Sequence, residues 1–156
     1  METSQPVVII FTGIQGSGKT FYYHAHLEST HVHINLDSLH TREKERQLFF
    51  ECLRKKLDIV VDNTNPTVAD RARYILPAKQ AGYKIIGYYS SSCLEDCIRR
   101  NAMREGTARI PEKAIAATSN RMTLPDYAEG FDALYYIARD ADDQMIQMEW
   151  RCEDEL

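Results

Sequence analysis

Residues Gly13-Ile14-Gln15-Gly16-Ser17-Gly18-Lys19-Thr20 decide the fold of this chain. Their spacing is G-x-x-x-x-G-K-[ST], that of a phosphate-binding P-loop. Gly13, Gly16 and Gly18 let the backbone turn tightly, so that successive N–H groups from Gln15 to Thr20 converge on one point. Those amides donate to the β- and γ-phosphates of a nucleotide. Lys19 adds a fixed positive charge, and the Thr20 hydroxyl is placed to ligate Mg²⁺. The flanks agree with the motif. Val7-Val8-Ile9-Ile10-Phe11 is an unbroken apolar run, the pattern of a buried parallel strand. Phe21 to Leu27 continue as a helix whose N-terminus faces the phosphates. A glycine-rich turn with no ligand is the alternative, and the strand–loop–helix order argues against it.

Outward from this loop, strands alternate with helices. Strands are expected at His31–Asn35, Asp58–Val61, Lys84–Tyr89 and Leu134–Ala138, with Met145–Trp150 as a candidate edge strand. Helices are expected from Ser38 to Leu57, from a Thr67 cap to about Ala81, from Leu94 to Arg104, and from Pro111, which suits the first helical position. Leu39, Leu48, Phe49, Cys52 and Leu53 give the second helix an apolar stripe, with Arg42, Glu43, Lys44 and Glu45 on its wet side. Pro77 is expected to bend the third. The pattern predicts an α/β P-loop kinase fold with a parallel five-stranded sheet and helices on both faces. It forms one domain over residues 1–156, with an arginine-bearing lid over about 100–122 and an acidic tail over about 151–156. Ligands then bind outside the carboxyl ends of the strands. The residues after the strands fit that rule: the P-loop, Asp37, Asp62 with Asn63, and Ser90-Ser91-Ser92.

The chain has 156 residues, 44% of them hydrophobic, and a formal net charge of −4. That is enough apolar content for a core, and the negative balance counts against tight, sequence-independent binding of a long duplex. With no apolar run of membrane length and no signal peptide, a soluble, cytoplasmic protein is expected. Cys52, Cys93, Cys97 and Cys152 lack zinc spacing and read as reduced thiols. His24, His26, His31, His33 and His40 match no metal pattern closely. The paired tyrosines read as core and rim.

Several residues can carry chemistry. Asp37 sits just past the second strand, where it can accept a proton from an attacking hydroxyl or cap the following helix. Asp62 ends an apolar strand, where an isolated charge is costly unless it serves a metal or a partner. Asn63 and Asn65 suit either substrate contacts or turn chemistry. Arg99, Arg100, Arg104 and Arg109 cluster around a Gly106-Thr107 hinge, as arginines of a lid closing over phosphates would. Arg42, Arg71, Arg73 and Lys79 read mostly as surface charges or partners of Asp70 and Glu43. Arg42, Arg71, Arg73 and Arg109, alongside His40, are also the cations available to grip an acceptor.

The P-loop, Val32-His33-Ile34-Asn35-Leu36-Asp37-Ser38-Leu39 and Val61-Asp62-Asn63-Thr64-Asn65-Pro66 together resemble the 5′-kinase domain of polynucleotide kinases, especially that of the animal polynucleotide kinase-phosphatases. Arg71-Ala72-Arg73-Tyr74 and Ala128-Glu129-Gly130-Phe131 extend the likeness, which spans roughly residues 7–140. The resemblance implies transfer of the ATP γ-phosphate to a 5′-hydroxyl end of DNA or RNA. Asp37 is then the general base, Lys19 and Thr20 bind phosphates and magnesium, and Asp62 organises the metal or acceptor site. Arg100 and Arg104 contact the donor phosphates. The family's Asn-Arg-Asp is here Asn35-Leu36-Asp37, and an arginine of the phage-type enzymes is replaced by His40. Only six residues precede the first strand, so no leading phosphatase domain is expected. Two rivals share the motif: a kinase of nucleosides, sugars or nucleotide-sugars, and a nucleotide-binding regulatory module without turnover.

Overall fold

The structure is a computed structural model that describes residues 4–90, 94–104, 106, 109–139 and 145–149. Ser91, Ser92, Cys93, Glu105, Thr107, Ala108, Cys152, the acidic residues after Arg139 and the tail lie outside the described residues, as does the Arg100 side chain.

The elements run β1 (Val7–Thr12), α1 (Lys19–His26), β2 (Val32–Ile34), α2 (Leu36–Leu39), α3 (Arg42–Lys55), β3 (Ile59–Val61), α4 (Val68–Gln80), β4 (Lys84–Ser90), α5 (Leu94–Ala102), α6 (Glu112–Arg121), β5 (Ala133–Arg139) and β6 (Met145–Glu149). A 3-10 turn, Tyr127–Glu129, precedes β5. The strands form one sheet in the order β2-β3-β1-β4-β5-β6. Five are parallel, as expected, and β6 pairs antiparallel with β5. The sheet therefore has six strands: the five expected parallel ones and, at the candidate edge position, an antiparallel sixth. The physical reason is the short link between Arg139 and Met145: a parallel crossover needs a dozen or more residues.

β1 lies at the middle of the sheet and carries both cores. Val8 and Ile10 face Ile59, Val61, Ile85, Phe49, Tyr74 and Ile75, under α3 and α4. Ile9 and Phe11 face Val60, Tyr88, Tyr22 and Tyr23, under α1. Burial on both faces explains why β1 and β3 lack polar alternation.

The single helix expected from Ser38 to Leu57 is two helices. His40 has φ 72 and ends α2, and Thr41 starts α3 with its Oγ1 accepting from the Lys44 amide at 3.1 Å. The Thr41 cap outweighs the continuous apolar stripe locally, because a capped start satisfies donors that would otherwise be orphaned. Thr67 caps α4 as expected, accepting from the Asp70 amide at 3.1 Å, and Gly82 follows the helix at φ +84. Pro77 lies within α4 near its end. No described helix is long and apolar enough to cross a membrane.

Candidate active site

The carboxyl ends of β1, β2 and β3 open into a crevice of about 380 Å³. Lys19, Thr20, Asp37, Asp62, Asn63 and Arg104 line it, together with Gln15, Gly16 and Gly18 of the loop. Leu36, Phe21 and Ile110 supply apolar wall, and Arg42 supplies a further cation.

The loop is folded for anion binding. Gly16 has φ +82, and a Cβ there would stand 2.8 Å from the Cys97 carbonyl, so glycine is required twice over. Gly18 has φ 100 and leaves the first amides of α1 open to the crevice. The Gly13 amide donates to the Thr64 carbonyl at 3.0 Å, which ties the loop to the turn after β3. Lys19 is 7% exposed, and its Nζ donates to the Gly13 and Ile14 carbonyls at 2.8 and 2.9 Å. Burial lowers its pKa to about 8, and the Asp62 carboxylate partly offsets that effect. Gln15 Nε2 donates to Thr118 Oγ1 at 3.3 Å, joining the loop to α6.

Asp62 is 1% exposed, with one carboxylate oxygen engaged twice. Its Oδ2 accepts from Thr20 Oγ1 at 2.7 Å and lies 2.7 Å from His33 Nε2. The His33 ring stacks on Tyr23, with centroids 4.1 Å apart, which fixes its orientation. The hydroxyl–carboxylate pair is a hard oxygen set of the kind Mg²⁺ uses when it keeps most of its waters and binds substrate phosphates. Among the described residues there is no cluster of three or more His, Cys, Asp or Glu that could hold a metal by itself. The oxygen pair therefore fits Mg²⁺.

Asp37 stands on α2, exposed, and the helix cap is Asn35, whose Oδ1 accepts from the Ser38 amide at 3.0 Å. Capping thus falls to a neighbour, and Asp37 faces the crevice. Its position is set from below. Asn35 Nδ2 donates to the Asp62 carbonyl at 2.6 Å, and the Leu36 amide donates to Asn63 Oδ1 at 2.9 Å. Asn63 is held in turn by Glu45, whose Oε2 accepts from its Nδ2 at 2.8 Å. Glu45 was expected on the wet side of α3; it is 2% exposed instead. Tyr74 Oη and Arg42 donate to its Oε1 at 2.7 and 2.9 Å. Burial and the neighbouring carboxylate push the Tyr74 phenol up to about 12. This network makes the burial of a carboxylate tolerable, and it holds Arg42 at the crevice wall.

Other candidates lie elsewhere. Asn65 is 3% exposed, with φ 44, and its Nδ2 donates to the Phe11 carbonyl at 2.8 Å, which pins the turn to β1 outside the crevice lining. His40 is exposed at the α2–α3 break and Arg73 is exposed on α4; neither lines the crevice. Arg71, expected at the surface or beside Asp70, is fully buried. Its Nε and Nη2 donate to Glu129 at 2.8 and 3.0 Å, and Nη1 donates to the Asn65 and Thr123 carbonyls, each at 2.9 Å. Asp70 pairs with Arg121. Two stretches that carried the family likeness, around Arg71 and Glu129, thus meet in one structural ion pair.

Sequence reasoning missed Glu45 and Asn101. Asn101 is 1% exposed; its Oδ1 accepts from the Ile110 amide at 2.7 Å, and its Nδ2 donates to the Ile110 carbonyl. The two ends of the α5–α6 connector are thereby fastened together, below Arg104. The Thr41-x-x-Lys44 cap was the available signal for the helix break that buries Glu45. Nothing local marks Asn101.

The AAA domain family model matches residues 8–125. Among curated proteins, the chain is 28% identical over 146 residues to a putative bifunctional polynucleotide phosphatase/kinase of Acanthamoeba polyphaga mimivirus, covering 89% of this chain and 35% of that protein. It is 27% identical over 128 residues to the bifunctional polynucleotide phosphatase/kinase of Schizosaccharomyces pombe, covering 80% and 31%. The chain spans about a third of the length of these relatives. Among solved structures, Chaetomium thermophilum Kti12 in complex with ADP-AlF3 shares the fold, with a TM-score of 0.66 at 20% identity over 87% of this chain and 92% of that one.

Proposed function

The chain belongs to the AAA domain family, and on that footing we propose that it is an ATP-dependent kinase of polynucleotide 5′-hydroxyl ends. The observation that carries this reading is the sharing of one crevice by Lys19, Thr20, Asp37 and Arg104. The names of the two curated relatives support the acceptor class.

In this reading the loop amides and Lys19 hold the β- and γ-phosphates of ATP. Thr20 and Asp62 hold Mg²⁺, which supplies positive charge to the phosphates when bound. Asp37 accepts the proton of the 5′-hydroxyl as the bond from that oxygen to the γ-phosphorus forms. The bond from phosphorus to the β–γ bridging oxygen breaks, and ADP leaves with its electrons. Arg104 stabilises charge on the migrating phosphoryl group, joined by Arg100 of the same lid. Arg42 takes the first phosphate of the acceptor, the task that Leu36 and His40, standing where the family has arginines, leave open. Asn63 contributes by fixing α2 under the acceptor. Arg73 lies one step further along the acceptor's path.

A small-molecule acceptor is the competing reading, favoured by the net charge of −4 and by Leu36 in the crevice wall. The test is incubation with γ-labelled ATP and Mg²⁺ beside a panel of 5′-hydroxyl DNA and RNA oligonucleotides, nucleosides and sugars. Label is expected on oligonucleotide 5′ ends. Label confined to nucleosides or sugars replaces this reading with the small-molecule one, and no label on any acceptor removes the kinase assignment.

A further inference from the structure

A second cavity, of about 320 Å³, adjoins the crevice and shares Arg42 with it. Its lining is unlike that of a chance surface hollow. Arg42, Arg46 and Arg73 bring three guanidinium groups, while the one carboxylate, that of Glu45, already accepts from Arg42, Tyr74 and Asn63. Phe50 presents an aromatic ring that is 43% exposed. The Arg46 guanidinium lies 5.1 Å from the centroid of that ring, and Phe49 meets it edge-on with centroids 5.7 Å apart. The ring is therefore rigidly backed and open to solvent. A cationic rim is out of keeping with a chain of net charge −4, and points to an anionic occupant.

We propose that this cavity is the subsite for the second nucleotide of the acceptor strand. Phosphate binding falls to Arg42, at the junction of the two cavities, and then to Arg73. The second base stacks on the Phe50–Arg46 pair. Planar π-faces and phosphates alternate along a single strand, and this cavity sets an aromatic ring among guanidinium groups, the combination from which sequence-tolerant single-strand binders are built. A small-molecule acceptor has no use for a second site of this kind. The inference rests on the polynucleotide reading above and deepens it. It implies a preference for ends that are single-stranded over at least two nucleotides, because a base paired in a duplex cannot lie flat on Phe50.

The experiment compares three 5′-hydroxyl acceptors: a nucleoside 3′-phosphate, a dinucleotide, and the same dinucleotide with an abasic second position. In the wild type, KM is expected to fall roughly tenfold from the first to the second, within the range that stacking contributes per base, and the abasic acceptor should lose that gain. Phe50→Ala should bring the ratio close to one, and Phe50→Trp should restore it. An unchanged ratio in Phe50→Ala overturns the subsite while leaving the kinase reading intact. Fluorescence anisotropy with a labelled 5′-hydroxyl hexanucleotide separates the remaining cases. If no acceptor is phosphorylated but the hexamer binds and Phe50→Ala weakens it about tenfold, the subsite stands and the reaction assignment falls. If the hexamer does not bind, both fall. Sedimentation that shows a dimer of the wild type dissolved by Phe50→Ala makes the patch an interface between copies and overturns the proposal.

Discussion

In the proposed reading the crevice has a donor half and an acceptor half, and the two are built in opposite ways. The donor half is held mostly at short range: Lys19 is held by carbonyls five and six residues away, and remote residues such as Thr64 and Thr118 only brace its loop. The acceptor half is assembled from distant pieces. Asp37 takes its position from Asn35 and Leu36, these from Asp62 and Asn63, and Asn63 from Glu45 on α3. A local device survives most substitutions outside it, while a relay of single hydrogen bonds transmits the loss of any member. The donor half should therefore fail only when its own residues change, and the acceptor half should fail from residues that touch no substrate.

The largest effect is expected at the donor half. Lys19→Ala should lower phosphoryl transfer by about 10³-fold or more, with the melting temperature nearly unchanged, because the lysine charge acts on phosphates in a dry site. A rate within threefold of wild type would remove the P-loop from the chemistry. Next comes Arg71→Ala, which strips a buried ion pair of one partner, leaves Glu129 only the Asp126 amide, and removes the donor to two carbonyls. It should cost about 3 kcal/mol or more in denaturant unfolding. A loss of acceptor affinity without loss of stability would return Arg71 to the substrate path.

Glu45→Ala tests the relay itself. Acceptor KM should rise about tenfold, as expected when one or two kcal/mol of charged hydrogen bonding is lost, while the affinity for ATP holds. Equal effects on both ligands would mean that the halves are not separable. The smallest effect concerns pH. Lys19 titrates near 8, so it is charged below that value and neutral above it. Nucleotide phosphates draw the proton back, so binding takes up a proton at high pH and weakens as pH rises. Between pH 7.5 and 8.5 the ATP dissociation constant should increase about threefold. A flat profile over that range would mean that Lys19 is charged in the free protein throughout.

The same contrast explains what could be read from sequence. The P-loop, its flanking strand and helix, and the five parallel strands, though not their order, are written in short-range patterns: fixed spacing, apolar runs and caps. Asp37 and Asp62 were placed because they follow strands. The burial of Glu45 and Arg71 was not legible, because a charged residue goes inside only when partners remote in sequence satisfy it. For Glu45 these are Tyr74 and Asn63; for Arg71 they are Glu129 and Thr123. Helical periodicity gave no warning of the break at His40, since the apolar stripe carries on across it and only the Thr41 cap marks the new start.

In the proposed reaction Asp37 works as a base on an acceptor hydroxyl opposite the P-loop. The most direct test of that role is the single-turnover rate of phosphoryl transfer to a 5′-hydroxyl oligonucleotide by the wild type and by Asp37→Asn, with ATP binding measured on both proteins. The substitution keeps shape and deletes the proton acceptor. The rate should fall about 10²- to 10⁴-fold with the ATP dissociation constant unchanged. A variant that transfers phosphate at the wild-type rate, or one that loses ATP affinity in step with its rate, would contradict the account.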